Sequence, residues 1–140
     1  MRTEAAALLL DTHVWIWLNE GLPELSVEQR QCIDDAARRG QAWVSIISVW
    51  EVSLLHSKQR LHLGASCLDW AKRALAPPLA LAALTPEIAV ECNGLPGRFH
   101  SDPADRIITA TARIEGLTVV TRDRQILAYA AQGYVSALPC

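Results

Sequence analysis

Short apolar runs alternate with longer amphipathic stretches along the 140 residues of the chain. The runs that predict buried strands are 6–10, 42–45, 79–84, 117–121 and 134–138. The stretches that predict helices are 13–19, 25–40, 48–59, 68–75, 85–92, 102–116 and 123–133. Strands that alternate with helices favour an α/β fold, in which helices cover both faces of a parallel sheet. No linker or repeat interrupts this pattern, so we expect one domain over residues 1–140.

Capping residues support the predicted helix ends. Ser26 and Gln29 have the spacing of a capping box. Thr85 precedes Pro86 and Asp102 precedes Pro103, and both pairs are typical of a helix start. Two glycines, Gly40 and Gly116, follow predicted helices and are expected to end them. The loop 93–100, which contains two glycines and a proline, separates the helices on either side of it.

Composition narrows the possible functions. The formal net charge of −2 argues against a protein that holds nucleic acid by its own basic charge alone, but bound cations can supply positive charge. Four widely spaced cysteines without a C-x-x-C pair favour free thiols in a reducing compartment. Because neither a signal peptide nor an apolar run of membrane-spanning length is evident, we expect a cytoplasmic protein without a membrane partner.

Four acids have positions that suggest chemistry. Asp11 ends the first predicted strand, and Asp123 follows the fourth. Glu51 and Asp105 are predicted in the first turns of helices. The carboxyl ends of parallel strands lie at one edge of a sheet, where ligands bind, so Asp11, Glu51 and Asp123 are expected there. Asp105 joins them if its helix also starts at that edge.

Helix capping is the simpler explanation for each acid taken alone. Glu51 lies three residues after Ser48, as in a capping box, and Asp123 itself suits an N-cap. Four carboxylates at one edge, however, repel one another by up to about 4 kcal/mol per close pair. Such a cluster takes up protons or binds a cation, and oxygen ligands suit Mg²⁺ or Mn²⁺. A metal held there suits phosphodiester hydrolysis.

Four segments, taken together, carry a resemblance to a known family. LLLDTHVWIW, SIISVWEVSLL, DPADRIITATA and LTVVTRD occur in an order and spacing that resemble a PIN domain. More closely, they resemble the VapC-type ribonuclease toxins of bacterial toxin–antitoxin pairs. The resemblance implies a three-layer α/β/α sandwich with a mainly parallel sheet. It also implies an endoribonuclease that depends on Mg²⁺ or Mn²⁺, acts on RNA, binds an antitoxin protein and forms a homodimer.

The resemblance assigns roles to the acids. Asp11, Glu51, Asp105 and Asp123 correspond to the catalytic, metal-binding set, and Thr121 to the hydroxyl residue that often precedes the last acid. Asp11 and Asp105 would hold the principal ion. Glu51 and Asp123 would complete its shell through waters, or bind a second ion, and one of them would help to deprotonate the attacking water.

Three further residues are candidates for accessory roles. Asp102 is the second acid of the DPAD segment and is better explained as a helix cap. Arg106 adjoins the predicted site, where it could contact a phosphate or form an ion pair with one of the acids. His13 could contact metal or substrate, although a polar residue packed beneath a loop is the simpler interpretation.

Other side chains have two plausible uses. The five tryptophans could stack on bases, but their apolar neighbours favour core or interface positions for most of them. Basic residues scattered around the predicted site would guide RNA towards it, or simply face solvent. They are Lys58, Arg60, Arg98, His100, Arg122 and Arg124.

Two alternatives remain for the function. One is another Mg²⁺-dependent phosphohydrolase; a dehalogenase-like pattern would need an acid where His13 stands, and a receiver-like pattern would need a lysine late in the chain. The other is a catalytically inactive binding module that kept the fold. The complete set of four acids argues against that module.

Overall fold

A computed structural model describes residues 6–140, and within them five strands form one parallel sheet. The strands are β1 (Leu8–Leu10), β2 (Ala42–Ser45), β3 (Ala80–Ala82), β4 (Thr118–Thr121) and β5 (Ser136–Pro139). The helices are α1 (Thr12–Glu20), α2 (Val27–Arg38), α3 (Ile46–Ser57), α4 (Cys67–Ala74), α5 (Pro86–Glu91), α6 (Pro103–Glu115) and α7 (Arg124–Ala131). The predicted alternation of strands and helices is confirmed.

The sheet order is β3-β2-β1-β4-β5, so the first strand lies at its centre. Leu9 pairs with Trp43 of β2 on one side and with Val119 of β4 on the other. β1, β2 and β4 therefore end side by side. The residues that follow these strands are brought to the same edge of the sheet, as the sequence predicts.

Helices cover both faces of the sheet, which gives the three-layer α/β/α sandwich. Side chains alternate along β1, so Leu8 and Leu10 pack on one face with residues of α1, α2, α3 and α4. Leu9 packs on the opposite face with Ile108 of α6 and Ile126 of α7. All three leucines are at most 1% exposed, so the strand before Asp11 is fixed in the core.

One difference from the predicted elements that affects the site lies at the junction of β2 and α3. The helix starts at Ile46, immediately after the strand, and Ser45 is its N-cap. Glu51 therefore lies in the second turn, and the prediction of a first-turn position was wrong. The capping-box interpretation of Ser48 was also wrong, because Ser48 is buried inside the helix.

The other capping predictions agree well with the structure. Ser26 and Gln29 form both hydrogen bonds of the capping box. The Thr85 and Asp102 side chains cap α5 and α6, each of which has a proline in its first turn. Gly116 ends α6 at a φ of 69°, a left-handed conformation that favours glycine.

The tryptophans divide between core and surface. Trp15 and Trp70 are buried against each other with ring centroids 4.9 Å apart, which confirms the core interpretation for these two. Trp17 and Trp43 are partly buried. Trp50, at 53% exposed, lies outside the core.

Two predictions drawn from composition can be compared with the structure. All four cysteines, Cys32, Cys67, Cys92 and Cys140, are free thiols. Among residues 6–140, none of the helices has the length and apolar character needed to cross a membrane.

Candidate active site

A pocket of about 350 Å³ lies at the carboxyl edge of the sheet, and the predicted acids meet in it. Its lining consists of Asp11, His13, Glu51, His100, Asp102, Asp105 and Asp123. Five of these seven residues are carboxylates, and two are histidines. The four acids of the predicted set, separated by up to 112 positions (123 − 11) in the sequence, are thus neighbours in the fold.

A larger and more open cleft, of about 1030 Å³, lies at the opposite edge of the sheet, near the starts of β4 and β5. The one carboxylate among its described lining residues, Glu91 at the end of α5, already forms an ion pair with Arg113 at 2.7 Å. The described lining of this cleft gathers no group of uncompensated carboxylates, so the candidate chemistry belongs to the smaller pocket.

Asp11 joins the central strand to α1 and is only 8% exposed. Its Oδ1 atom accepts a hydrogen bond from the Thr12 backbone N at 2.8 Å. Its Oδ2 atom accepts one from the Thr121 hydroxyl at 2.6 Å. Burial raises the pKa of this carboxyl group, although the hydrogen bonds from Thr121 and Thr12 oppose the shift. Two hydrogen bonds thus hold the buried Asp11 carboxylate in place at the end of a strand that is fixed in the core.

Glu51 reaches the pocket from α3 through a small polar network. The Thr12 hydroxyl donates a hydrogen bond to Glu51 Oε1. The same Thr12 oxygen lies 2.8 Å from the hydroxyl of Ser48, one turn before Glu51 on α3. Since Thr12 donates its proton to the carboxylate, Ser48 is the donor to Thr12. Burial raises the pKa of Glu51, and the charge of Asp11 adds to the effect.

Asp105 is the third residue of α6, the first-turn position that the sequence predicts. Its pKa is raised from 3.8 to about 8. Burial is the largest cause, and the negative charges of Asp11 and Asp123 are the next two. A carboxyl group in this state holds a proton at neutral pH unless a cation compensates its charge.

Asp102 and Asp123 both cap helices, as predicted, and both line the pocket. Asp102 accepts a hydrogen bond from the Asp105 backbone N at 3.0 Å, and Asp123 accepts one from Ile126 N at 2.9 Å. Thr121 accepts a hydrogen bond from Asp123 N at 2.9 Å while it donates to Asp11. Capping and pocket lining are therefore compatible, and Thr121 connects two of the acids.

The positions of the two histidines in the pocket differ from those expected from the sequence. His13 is exposed at the pocket, so its interpretation as a residue packed beneath a loop was wrong. His100, which the sequence suggested only as one of several basic groups nearby, places Nε2 at 3.0 Å from Asp105 Oδ2. Sequence reasoning did not single out His100, because the loop that carries it has no regular periodicity.

Within the described residues Arg106 forms no ion pair with an acid, so that one of the two roles considered for it was wrong. Its Nε donates to the Cys92 carbonyl oxygen at 2.8 Å. Its Nη1 donates to the carbonyl oxygens of Phe99 and His100 at 2.9 and 3.0 Å. The guanidinium group turns towards these carbonyls because they belong to a loop without a regular backbone partner. Arg106 therefore fixes the loop that precedes α6 and contacts none of the acids.

Arg122 is another basic residue with a structural contact. It donates to the carbonyl oxygens of Cys140 and Glu24 at 2.8 and 2.6 Å. Its guanidinium carbon lies 4.5 Å from the centre of the Trp17 ring. These contacts anchor the C-terminal residue to the segment after α1.

Thr12 and Ser48 were missed as site residues. Both are buried, and their hydroxyls orient Glu51 rather than cap a helix. The only signal in the sequence was the three-residue spacing of Ser48 and Glu51, which also occurs in capping boxes. The contact from Thr12 to Glu51 spans 39 positions, and no local pattern encodes it.

The residues of this pocket fit a bound divalent cation. Burial is the largest cause of the raised pKa values of Asp11, Glu51 and Asp105, and the negative charges of neighbouring acids add to it. The Nε2 atom of His100 is buried and forms no hydrogen bond of acceptable geometry within the described residues. Ligand atoms of His100, Asp105 and Asp123 all lie within 4.8 Å of one another. Oxygen donors of this kind suit Mg²⁺ or Mn²⁺.

Comparison with known proteins agrees with the fold. A family model described as PIN domain matches residues 8–132. The chain therefore belongs to the PIN-domain family, as the four sequence segments suggested.

One relative indicates which subgroup of the family this chain resembles. Ribonuclease VapC22 of Mycobacterium tuberculosis (strain ATCC 25618 / H37Rv) is 35% identical over 119 residues, which cover 85% of this chain and 88% of that protein. The resemblance to VapC-type proteins is thus confirmed.

Solved structures share the same fold at low sequence identity. The DNA-bound VapBC complex from Salmonella typhimurium contains a chain with a TM-score of 0.70, 15% identity, and coverage of 96% of this chain and 98% of that one. VapBC2 from Rickettsia felis, bound to a promoter DNA fragment, gives a TM-score of 0.68 at 13% identity and coverage of 94% and 97%.

Proposed function

We propose that this protein is a Mg²⁺- or Mn²⁺-dependent endoribonuclease and the toxin of a toxin–antitoxin pair. The observation that carries the proposal is the convergence of Asp11, Glu51, Asp105 and Asp123 in one pocket, where the pKa of Asp105 is raised to about 8. Carboxylates that only cap helices need not converge in one pocket, where burial and mutual repulsion disfavour their charged forms. A cation-binding site requires such convergence, because the cation compensates the charges.

Each acid has a distinct place in the proposed site. Asp11 and Asp105 hold the principal ion, and Asp11 is fixed for this by the hydroxyl of Thr121 and the backbone of Thr12. Glu51 and Asp123 complete the shell through waters or bind a second ion. A bound divalent ion lowers the pKa of a water molecule and stabilises negative charge on phosphoryl oxygens.

The same carboxylates move the proton. Either Glu51 or Asp123 would accept the proton of the water molecule that attacks the phosphodiester. Attack on phosphorus breaks the bond to the 3′ oxygen, so the products carry a 5′-phosphate and a 3′-hydroxyl group. Glu51 is held ready for this role by the Thr12 hydroxyl.

The test is cleavage of total RNA by the wild-type protein and by Asp11→Asn, with cleavage sites mapped side by side in Mg²⁺ and in Mn²⁺. The wild type is expected to cut in either metal and to stop in EDTA. Asp11→Asn is expected to stay folded by circular dichroism and to lose cleavage. An Asp11→Asn protein that cuts RNA at the wild-type rate would refute the assignment.

Two results would favour the alternatives. Failure of the wild type to bind Mn²⁺ at millimolar concentration would favour an inactive binding module. Metal-dependent release of phosphate from small phosphate esters, without cleavage of RNA, would favour another phosphohydrolase.

The proposed protein partner is an antitoxin. Membership among VapC-type proteins supports this partner, and the solved relatives from Salmonella typhimurium and Rickettsia felis are VapBC complexes. Co-expression with the product of a short neighbouring gene tests it. A stable complex that suppresses cleavage is expected, whereas a neighbour that neither binds nor inhibits would contradict the partner.

The proposed assembly is a homodimer, as the resemblance implies. Light scattering of the purified protein tests it directly. A mass of twice 15.4 kDa is expected, and a mass of 15.4 kDa at all concentrations would contradict it.

A further inference from the structure

We propose that His100 is a metal ligand, so that its Nε2 atom binds the cation together with Asp105 and Asp123. This inference rests on the proposed metal centre, takes Asp123 as a direct ligand there instead of one that acts through water, and adds a nitrogen donor outside the set of four acids. It predicts a centre that binds transition-metal ions more tightly than an all-oxygen centre would.

The three ligand atoms are already close enough to share one ion. The Nε2 atom of His100, a carboxylate oxygen of Asp105 and a carboxylate oxygen of Asp123 all lie within 4.8 Å of one another. Nε2 is 3.0 Å from Asp105 Oδ2. The His100 and Asp105 side chains are 29% and 18% exposed, so the group lies partly inside the protein and still opens to the pocket.

The hydrogen-bonding state of His100 singles it out. Its Nε2 atom is buried, and its approach to Asp105 lacks the geometry of a hydrogen bond. A buried polar atom without a hydrogen bond is costly, and such an atom in a native protein calls for a functional explanation. Coordination of a cation would satisfy the nitrogen lone pair and compensate both carboxylates at once.

The loop that carries His100 is fixed in place before any ligand binds. Arg106 donates to the carbonyl oxygens of Phe99 and His100, at 2.9 and 3.0 Å. The His100 ring packs edge-on against the Phe99 ring, with centroids 4.7 Å apart. The Tyr129 hydroxyl donates to the carbonyl oxygen of Pro96 in the same loop. A ligand held this firmly by its surroundings loses little conformational entropy on binding.

Arg106 is therefore a positioning residue for the centre. It is the residue directly after Asp105 on α6, and it fixes the backbone of His100. One turn of one helix thus supplies a carboxylate ligand and orients a histidine ligand. This arrangement explains why an arginine next to the acids contacts carbonyl groups instead of a carboxylate.

A nitrogen donor has a chemical consequence that can be measured. Imidazole suits transition-metal ions, whereas Mg²⁺ prefers oxygen ligands and water. We expect loss of His100 to weaken Mn²⁺ binding by about tenfold or more. Mg²⁺ binding should weaken less, because most of its ligands remain.

The test is pulsed electron paramagnetic resonance of Mn²⁺ bound to the full chain, which detects a directly coordinated nitrogen. The wild type is expected to show one coupled imidazole nitrogen. His100→Ala is expected to lose this coupling and to bind Mn²⁺ more weakly by calorimetry. His13→Ala is the matched control, because His13 lines the same pocket, and it should keep the coupling.

The outcomes separate this inference from the proposed function. A wild-type protein that binds Mn²⁺ without nitrogen coupling would overturn the role of His100 and leave the nuclease proposal intact. Coupling that disappears in His13→Ala and persists in His100→Ala would also overturn it. A wild type that binds no Mn²⁺ at all would refute the metal centre itself. If His100→Ala does not fold, the wild-type and His13→Ala spectra decide the question together, because coupling that survives the loss of His13 leaves His100 as the other histidine of the pocket.

Discussion

Replacing Asp105 by asparagine is expected to stabilise the metal-free protein, and to do so more strongly as the pH rises. The pKa of Asp105 is raised from 3.8 to about 8 by burial first and then by the charges around it. The folded protein therefore binds this proton more tightly than the unfolded chain does. The resulting stability is fully present below the unfolded pKa and is lost as the pH rises through the folded pKa. Asparagine does not ionise, so Asp105→Asn escapes this loss.

The size of the effect follows from the span of the shift. Between about pH 5 and about pH 8, a span of about three pH units, the free energy of unfolding of the wild type falls by about 1.36 kcal/mol per unit, or about 4 kcal/mol in all. The Asp105 side chain is 18% exposed in a pocket open to water, so solvent screening reduces the loss. We expect the stability difference between the variant and the wild type to grow by about 2 kcal/mol over this range.

The assay is denaturant unfolding in EDTA at both pH values, for the wild type and Asp105→Asn. Asp69→Asn is the matched control, since Asp69 is the third residue of α4, as Asp105 is of α6, and is exposed. Both backbone N–H groups are capped, Asp69 N by Ser66 at 3.1 Å and Asp105 N by Asp102 at 3.0 Å. The control should show no growth of the difference with pH. A difference for Asp105→Asn that is equal at both pH values would refute the electrostatic reasoning.

Three other substitutions test single contacts of the site. Thr121→Val removes the hydroxyl that donates to Asp11, so we expect the free energy of unfolding, measured by chemical denaturation, to fall by about 1–3 kcal/mol and cleavage to slow. Thr121→Ser keeps a hydroxyl and should keep the wild-type stability and cleavage rate. Thr12→Val frees Glu51 and should reduce the cleavage rate with little change in Mn²⁺ affinity; an unchanged rate would exclude Thr12 as a positioning residue. Arg106→Met leaves three carbonyl groups without their donor and should cost about 2–3 kcal/mol of stability, and unchanged thermal unfolding would contradict the role of Arg106 in the loop.

Local patterns predict most of the fold. Buried strands such as Leu8–Leu10 and Thr118–Thr121 are short apolar runs, and their parallel pairing follows from the helices between them. The caps at Ser26 and Asp102 are equally local, because a cap and its partner lie within three residues of each other. The convergence of Asp11, Glu51 and Asp123 was also predictable, because each follows or lies near the end of a predicted strand and parallel strands end at one edge of the sheet.

The contacts that were not predicted join segments far apart in the sequence. Arg106 bonds to Cys92 across 14 positions and Thr12 to Glu51 across 39, and no local periodicity encodes either contact. The start of α3 was placed too late because Ser45 serves both as the last residue of β2 and as the helix cap. His100 lies in an irregular loop, and only the packing of that loop on α6 brings it to Asp105.

RNA cleavage by this protein is proposed to require a divalent cation bound in the pocket. The most direct test is a Mn²⁺ titration in which bound metal, by electron paramagnetic resonance, and cleavage of a labelled RNA are measured in the same samples. Cleavage is expected to be absent in EDTA, to rise in parallel with bound Mn²⁺, and to stay absent throughout for Asp11→Asn. Full cleavage in EDTA, or saturation with Mn²⁺ without any cleavage of RNA, would contradict the account.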